Sequence, residues 1–221
     1  MNAAMPTRIE SRRRALAWLV VAGVTYLAGC GSLLPAVPAP PTVYLLEDGS
    51  PRLVDSPSPP GLANATATLV VADPRAAPGY GTRRIAYVRT ANQIEYFAFS
   101  QWAEPPAAML APLLVHAIDR SGAYRSVVRA PVPVAGDLRL DTELIRLHQD
   151  FSVSPSVVRL TLRAVLIDIA TRRVLATREF DAEVPSASED PAGGVMAANQ
   201  AARRLAAEVG AFCAERIGQR K

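Results

Sequence analysis

The sequence contains few of the side chains from which metal centres and catalytic sites are usually built. Among 221 residues there are two histidines and two cysteines, and neither an HExxH nor a CxxC spacing occurs. The glycine-rich stretch PAGGV lacks the lysine of a phosphate-binding loop, and no GxGxxG or GxSxG motif is present. We therefore predict no metal site and no cofactor, and the sequence offers no candidate catalytic residue.

The chain from Cys30 onward also carries almost no excess of basic over acidic residues. The chain has 24 basic and 20 acidic residues. However, Arg8 and Arg12–Arg14 lie in the first 14 positions, where only Glu10 opposes them. From Cys30 onward, 20 basic residues face 19 acidic ones. Because nucleic-acid-binding domains usually concentrate basic residues on their folded surface, we expect no nucleic-acid partner.

Three carboxylates alternate along one predicted strand and would share one of its faces. These residues are Asp137, Asp141 and Glu143. They are compatible with a carboxylate cluster or with the solvated face of a sheet, and we favour the solvated face.

An apolar run near the amino terminus is too short to cross a membrane as a helix. The basic segment MNAAMPTRIESRRR precedes the twelve-residue apolar segment ALAWLVVAGVTY, whereas a transmembrane helix needs about 20 residues. Length and flanking charge instead predict a secretory signal peptide. The run ends in LAGC at residues 27–30, which resembles the bacterial lipobox. This resemblance implies that residues 1–29 are removed and that Cys30 receives a diacylglycerol thioether and an acylated amino terminus.

The residues after Cys30 predict a tether followed by one domain. The segment GSLLPAVPAPP is proline-rich and favours a semi-rigid, extended chain. We therefore assign residues 30–41 to the lipidated cysteine and its tether, and residues 42–221 to a single α+β domain. An Asp directly after the cysteine retains enterobacterial lipoproteins in the inner membrane, so Gly31 predicts the inner leaflet of the outer membrane, facing the periplasm. Cys213 then has no disulfide partner within the chain and is expected to be a buried thiol that packs as a small hydrophobe.

The first half of the domain shows a group of strands followed by a helix. The strand segments are TVYLLED, TATLVVADP and a hairpin of RRIAYVRT with QIEYFAFSQWAE, with a Pro-, Ser- and Gly-rich loop at 49–65. A helix is expected from Pro105 and Pro106 to about Gly122. Pro112 falls inside this pattern and would either kink the helix or mark a late start.

The second half repeats the order of strands and then a helix. After YRSVV, three long antiparallel strands with one solvated face are expected. In the first of them the apolar positions shift phase after Leu144, as a β-bulge would produce. Asp190 and Pro191 are a helix-start signal, and an apolar stripe predicts a C-terminal helix of about six turns. The predicted class is α+β, with a largely antiparallel or mixed sheet and two main helices packed on one face.

With the leader set aside, the chain resembles the ABC-type transport auxiliary lipoprotein family, which includes the PqiC-like and YmbA-like lipoproteins. The resemblance rests on the LAGC lipobox, the VYLLED strand, the AANQAARRLAAEV helix and the segment RRIAYVRTANQIEYFAFSQWAEPPAAMLAPLLVHAI. In this last segment the matching positions are Ile85, Tyr87, Arg89, Tyr96, Trp102, Ala103 and Pro106.

The resemblance implies a non-enzymatic accessory of an intermembrane lipid transport system. Such a system has an ABC ATPase, a permease and an MCE-domain protein that spans the periplasm. The expected partners are the membrane, through the acyl chains on Cys30, the MCE-domain protein and a second copy of the chain. Trp102 with Tyr96 could form an exposed contact patch, although core packing is favoured for Trp102. Two other functions stay open, an envelope adaptor that activates a cell-wall synthase and a lipid-binding lipoprotein with its own pocket.

Overall fold

A computed structural model describes residues 39–47, 65–131, 133 and 135–218. The predicted signal peptide, Cys30 and most of both the tether and the proline-rich loop lie outside the described residues. From Pro40 onward, the described residues belong to one compact unit. None of the helices in these ranges is both long and apolar enough to cross a bilayer.

The elements alternate between groups of strands and single helices. In chain order they are β1 Thr42–Tyr44, β2 Thr68–Val71, β3 Arg75–Ala76, β4 Arg84–Val88, β5 Ile94–Trp102, α1 Pro106–Asp119, β6 Ser126–Arg129, β7 Leu138–Asp150, β8 Val157–Asp168, β9 Arg173–Pro185 and α2 Pro191–Gly218. The first strand is shorter than the predicted TVYLLED segment, and the two-residue β3 was not predicted.

All the strands join one mixed sheet around the long β7. β7, β8 and β9 form the predicted antiparallel series along one edge of β7. On its other edge, β2, β3 and β4 pair with successive stretches of β7, and all three are parallel to it. β6 extends β2 in parallel, β5 pairs antiparallel with β4, and β1 pairs in parallel with β5. The predicted α+β class is therefore confirmed, with a mixed sheet.

The predicted β-bulge is present in β7. The pairing of β7 with β8 shifts register between Leu144 and Arg146. Leu144 and Leu147 are both buried, although residues three positions apart in a regular strand would face opposite sides. The extra residue, Ile145, restores the apolar face, which explains the phase shift in the sequence.

The hairpin and the first helix also follow their sequence signals. β4 and β5 pair antiparallel across a short turn in which Asn92 has φ = 65°, a conformation that asparagine tolerates better than most residues. α1 begins at Pro106 and continues through Pro112, so the late-start alternative is wrong. Pro112 lies on the exposed side of the helix, where water can bind the carbonyl that a proline leaves without a backbone donor.

The two helices cover one face of the sheet and pack against each other. The carboxylate of Asp190 accepts a hydrogen bond from the Gly193 amide at 2.8 Å, and Pro191 is the first helical residue, as predicted. At 28 residues, α2 has about eight turns and is longer than expected. A Cβ added to Gly210 would lie 2.9 Å from the carbonyl oxygen of Ala117 in α1. Glycine at this position therefore allows the close approach of the two helices.

Candidate functional site

The predicted lipidation site, Cys30, lies outside the described residues, so its modification stays a prediction. The described chain begins at Ala39, nine positions after Cys30. What the structure does show is how the chain that leaves the predicted tether enters the fold. The candidate site is therefore built from this point of entry.

The first residues of the domain are held by the sheet and by α1. β1 pairs with the end of β5, so that Tyr44 lies opposite Trp102. The Tyr44 carbonyl accepts a hydrogen bond from the Ala103 amide at 2.7 Å. The side chain of Leu46 is buried, and its amide lies 3.4 Å from Met109 Sδ. These contacts fix the entering chain at the edge of the core.

A single amide side chain of α2 completes this attachment. Asn199 Oδ1 accepts a hydrogen bond from the Glu47 amide at 2.7 Å, and its Nδ2 donates to the Leu45 carbonyl at 3.1 Å. The same Nδ2 lies 3.1 Å from the Val195 carbonyl one turn earlier in α2, which orients the side chain. We call Tyr44–Glu47 together with Asn199 the N-terminal clamp. It joins the chain from the tether directly to the C-terminal helix.

A groove of about 410 Å³ lies beside the clamp, between the end of β9 and the first turns of α2. Its lining residues are Glu47, Pro185, Ala187, Met196, Ala197, Asn199, Gln200 and Arg203. Met196 is 61% exposed there. We call this groove the entry groove. Its lining combines apolar side chains with two amides and one charge of each sign, so it presents both polar and apolar contacts at the surface.

Ion pairs cover the face of the sheet that the helices leave free. Arg163 on β8 lies 3.2 Å from Glu143 on β7 and 2.7 Å from Glu179 on β9. Arg146 lies 3.0 Å from Asp181. A further arginine, Arg159, contacts Asp150 and Glu183. Apart from Asp150, whose side chain is largely buried, these partners are at least partly exposed. Exposed pairs contribute about 0–1 kcal/mol each, so their main effect is to keep this face polar.

The three candidate carboxylates follow the solvated-face interpretation. Asp141 pairs with Arg139 at 2.7 Å, and Glu143 pairs with Arg163. Asp137 accepts the Thr68 amide at 2.7 Å. Across the described ranges, no group of three or more His, Cys, Asp or Glu side chains is arranged to hold a metal ion.

The histidine in β7 serves a structural contact. His148 Nδ1 lies 2.9 Å from the hydroxyl of Tyr80, and the two rings stack with centroids 6.1 Å apart. Burial lowers the pKa of His148, and the guanidinium of Arg146 lowers it further. The pKa of Tyr80 is raised, also by burial. Both groups are therefore favoured in their neutral forms.

The alternative that Trp102 and Tyr96 form an exposed patch is wrong. Trp102 is 2% exposed and belongs to the core, so the favoured packing interpretation is confirmed. Tyr96 is half-buried, and its hydroxyl donates to the Gly79 carbonyl at 2.9 Å. The guanidinium of Arg84 lies 3.7 Å from the centre of its ring. Both aromatic residues are thus used within the fold.

The expectation for Cys213 is confirmed. Its side chain is fully buried in α2, and burial raises the pKa of the thiol to about 12. A protonated, inaccessible thiol is a poor nucleophile, so Cys213 contributes packing.

Asn199 was not among the residues predicted from the sequence. One signal was available, because asparagine is a weak helix former and this one interrupts the alanine-rich stretch VMAANQAA. An asparagine at such a position suggests a hydrogen bond outside the helix. Its two partners in the entering chain lie more than 150 positions away, and only the folded chain reveals them.

The fold is similar to that of two solved proteins. Protein XCC0632 from Xanthomonas campestris, of family DUF330, is 26% identical, with a TM-score of 0.66 over 81% of this chain and 95% of that one. A second solved protein, described only as uncharacterized, is 15% identical, with a TM-score of 0.60 over 79% of this chain and 99% of that one. A search of curated proteins found no significant match.

The sequence also matches a defined family over most of the fold. The family described as "ABC-type transport auxiliary lipoprotein component" matches residues 44–210. The match begins at Tyr44, the last residue of β1, and ends within α2, so it includes β2 to β9, α1 and the first 20 residues of α2. The description names an auxiliary lipoprotein, which indicates a membrane-associated, periplasmic accessory component of a transport system. The chain belongs to the ABC-type transport auxiliary lipoprotein family.

Proposed function

We propose that this protein is a non-enzymatic accessory of an MCE-type intermembrane lipid transport system, anchored in the outer membrane through Cys30. The observation that carries the proposal is the family match over residues 44–210. In the sequence, the matched region comes after a basic leader, a short apolar run and the LAGC sequence. In this proposal residues 1–29 are the signal peptide, residues 30–41 are the lipidated cysteine and tether, and residues 42–221 are the transport-auxiliary domain.

The physical chemistry of the anchor supports stable attachment. Each buried CH₂ of an acyl chain contributes about 0.8 kcal/mol, and stable anchoring needs more than one chain. A diacylglycerol thioether on Cys30 with an additional acyl group on its amine meets that requirement. Gly31 favours transfer to the outer membrane.

A docking role accounts for the polar groups of the domain better than a catalytic role does. His148 is paired with Tyr80, the carboxylates in β7 and directly before it are bound to arginines or to backbone, and Cys213 is buried. Each of these candidate reactive groups already has a structural contact. We therefore infer that the domain acts by binding the periplasmic end of an MCE-domain protein, as one copy or as several.

Crosslinking in cells tests the partner. The acylated protein is crosslinked in its native envelope and purified, and its partners are identified by mass spectrometry. Recovery of an MCE-domain protein is expected, and peptides crosslinked between copies of this chain would report self-association. Recovery of a peptidoglycan synthase without an MCE-domain protein would refute the proposal and favour the envelope adaptor.

Membrane fractionation of a matched pair of cysteine variants tests the anchor. Cys30→Ala removes the predicted lipid acceptor and should leave a soluble or leader-retaining form. Cys213→Ala removes the other cysteine and should leave the protein in the outer-membrane fraction. An unchanged outer-membrane location of Cys30→Ala would show that the lipobox interpretation is wrong.

A further inference from the structure

β9 forms a long outer edge of the sheet. Among the described residues it pairs with β8 alone. After the register shift between Leu166 and Ile167, ten consecutive pairs from Ala176 to Pro185 keep one register. At about 3.4 Å per residue this regular stretch is about 34 Å long, whereas most strands have about five or six residues. An edge of this length is a template for the pairing of another strand.

One hydrogen bond fixes which backbone groups of this stretch point outward. The Ser186 amide donates to the Ser156 carbonyl at 2.8 Å and continues the pairing of Val157 with Pro185. In an antiparallel pair, hydrogen-bonded positions alternate with positions whose N–H and C=O point away from the neighbouring strand. The even-numbered residues therefore bind β8, and the odd-numbered ones face outward. We call the outward-facing residues the open edge, and they are Thr177, Glu179, Asp181 and Glu183.

The side chains of the open edge carry a row of negative charges. Glu179, Asp181 and Glu183 lie on the helix-free face of the sheet, and each contacts an arginine of β7 or β8 on its inner side. Glu143 of β7, Arg163 of β8 and Glu179 of β9 thus alternate in charge across three strands. No strand lies on the outer side of these carboxylates in the described ranges. A basic side chain on an added strand would continue the alternation.

The same charges disfavour a second copy of the chain at the open edge. Two antiparallel copies of β9 centred on Asp181 would place Glu179 of each copy opposite Glu183 of the other. The two Asp181 side chains would also lie opposite each other. Like charges directly opposite one another destabilise strand pairing. A strand with basic side chains instead complements both the carboxylates and the outward backbone groups.

We propose that the open edge binds an extended segment of a partner protein that carries lysine or arginine at alternate positions. The segment adds a strand to the sheet beside β9, and its basic side chains lie next to Glu179, Asp181 and Glu183. In this mode of recognition, main-chain hydrogen bonds supply affinity and alternate side chains supply specificity. The binding mode requires neither the lipidation of Cys30 nor an MCE-domain partner, so it goes beyond the proposed function and is tested separately from it.

Two fluorescein-labelled peptides, TKVKVKT and TEVEVET, test the preference for basic residues. They differ only in the charge of their alternate side chains, and their binding to the full-length protein in detergent is measured by fluorescence anisotropy. Because every charged cross-strand pair changes from opposite to like charge between the two peptides, TKVKVKT should bind at least about tenfold more tightly. Equal affinity of the two peptides would overturn the proposal.

Hydrogen exchange distinguishes strand addition from a nonspecific attraction between charges. When TKVKVKT is bound, the amides of the open edge should exchange at least about tenfold more slowly. The amides of Arg178, Phe180 and Ala182 already bind β8 and should change little. Binding without this alternating protection would overturn the proposal. Slow exchange of the open edge before peptide is added would also overturn it, because a second copy or the chain itself would then cover the edge.

Two matched charge reversals test the carboxylates of the open edge. Glu179→Lys and Glu208→Lys each reverse a carboxylate that contacts an arginine, and the two side chains are 47% and 40% exposed. Glu208 lies on α2 and not on the sheet. Glu179→Lys should weaken the binding of TKVKVKT several-fold, whereas Glu208→Lys should leave it unchanged. Equal affinity of the two variants for this peptide would overturn the proposal.

Discussion

Removal of the Asn199 side chain should release the entering chain while leaving most of the fold intact. In Asn199→Ala, the Glu47 amide loses its acceptor and the Leu45 carbonyl loses its donor. Each bond contributes about 0.5–1 kcal/mol, because both lie at the surface, where water can replace the lost partner. Alanine is a better helix former than asparagine by about 0.6 kcal/mol. The free energy of unfolding should therefore fall by only about 1 kcal/mol, equivalent to about 3 °C in the melting temperature.

The local effect should be larger than this global one. Hydrogen exchange measured by mass spectrometry or NMR reports the Glu47 amide directly. Without its acceptor this amide should exchange at least about tenfold faster, whereas amides of β7 and β8 should change only as much as global stability does. The combination of a small shift in melting temperature and a large local change is the signature of the clamp.

Two control variants distinguish the loss of the Asn199 hydrogen bonds from a general loss of side-chain contacts. Asn199→Asp keeps an oxygen acceptor for the Glu47 amide but, as a carboxylate, cannot donate to Leu45. It should retain the protection of Glu47. Gln200→Ala shortens the next residue of α2, which also lines the entry groove, and should leave exchange unchanged. Equal protection of the Glu47 amide in Asn199→Ala and in the unmodified protein would show that Asn199 does not hold the entering chain.

Three further perturbations follow from the packing and from the pKa shifts. Gly210→Val places a side chain against the backbone of α1 and should destabilise the fold by about 1–3 kcal/mol. The control Ala211→Val lies on the exposed side of α2 and should change thermal unfolding little. Equal melting temperatures of the two variants would contradict the close helix contact. Cys213 should resist thiol reagents in the native protein, because burial raises its pKa to about 12, and it should react after denaturation. In Cys30→Ala the remaining cysteine is Cys213, so rapid labelling of this variant in its native state would contradict the burial of Cys213. Burial lowers the pKa of His148, so the unfolded state binds a proton first on acidification. Stability should therefore fall as the pH drops below about 6.5, and His148→Gln should flatten that part of a denaturant-midpoint profile against pH.

Strong local patterns in the sequence were sufficient for the long elements. The phase shift after Leu144 predicted the β-bulge, because the period of a strand is two and one extra residue inverts it. Asp190 and Pro191 predicted the start of α2, because an N-cap acceptor and a proline both suit the first helical turn. The exposed position of Pro112 explains why a helix-breaking residue did not divide α1.

The short strands could not be predicted in the same way. β3 has two residues, too few to show a period, and exists because Arg75 and Ala76 lie beside Glu143 and Leu144 of β7. The parallel pairing of β2, β3 and β4 with β7 joins residues that are more than 60 positions apart. Such pairings depend on which sheet edge is free after the long strands have paired.

The functional residues likewise divide into those that local sequence patterns predicted and those that depend on long-range contacts. Composition and local motifs by themselves determined the family resemblance, the predicted lipid acceptor Cys30 and the absence of a recognisable catalytic motif, because each depends on neighbouring residues. The burial of Trp102 and the hydrogen bonds from Asn199 to the entering chain are visible only in the folded protein. The tertiary structure also places the Leu45 carbonyl within hydrogen-bond distance of Asn199, 154 positions away in the sequence. These outcomes depend on long-range packing, in which the side chain that covers a residue comes from a distant part of the chain.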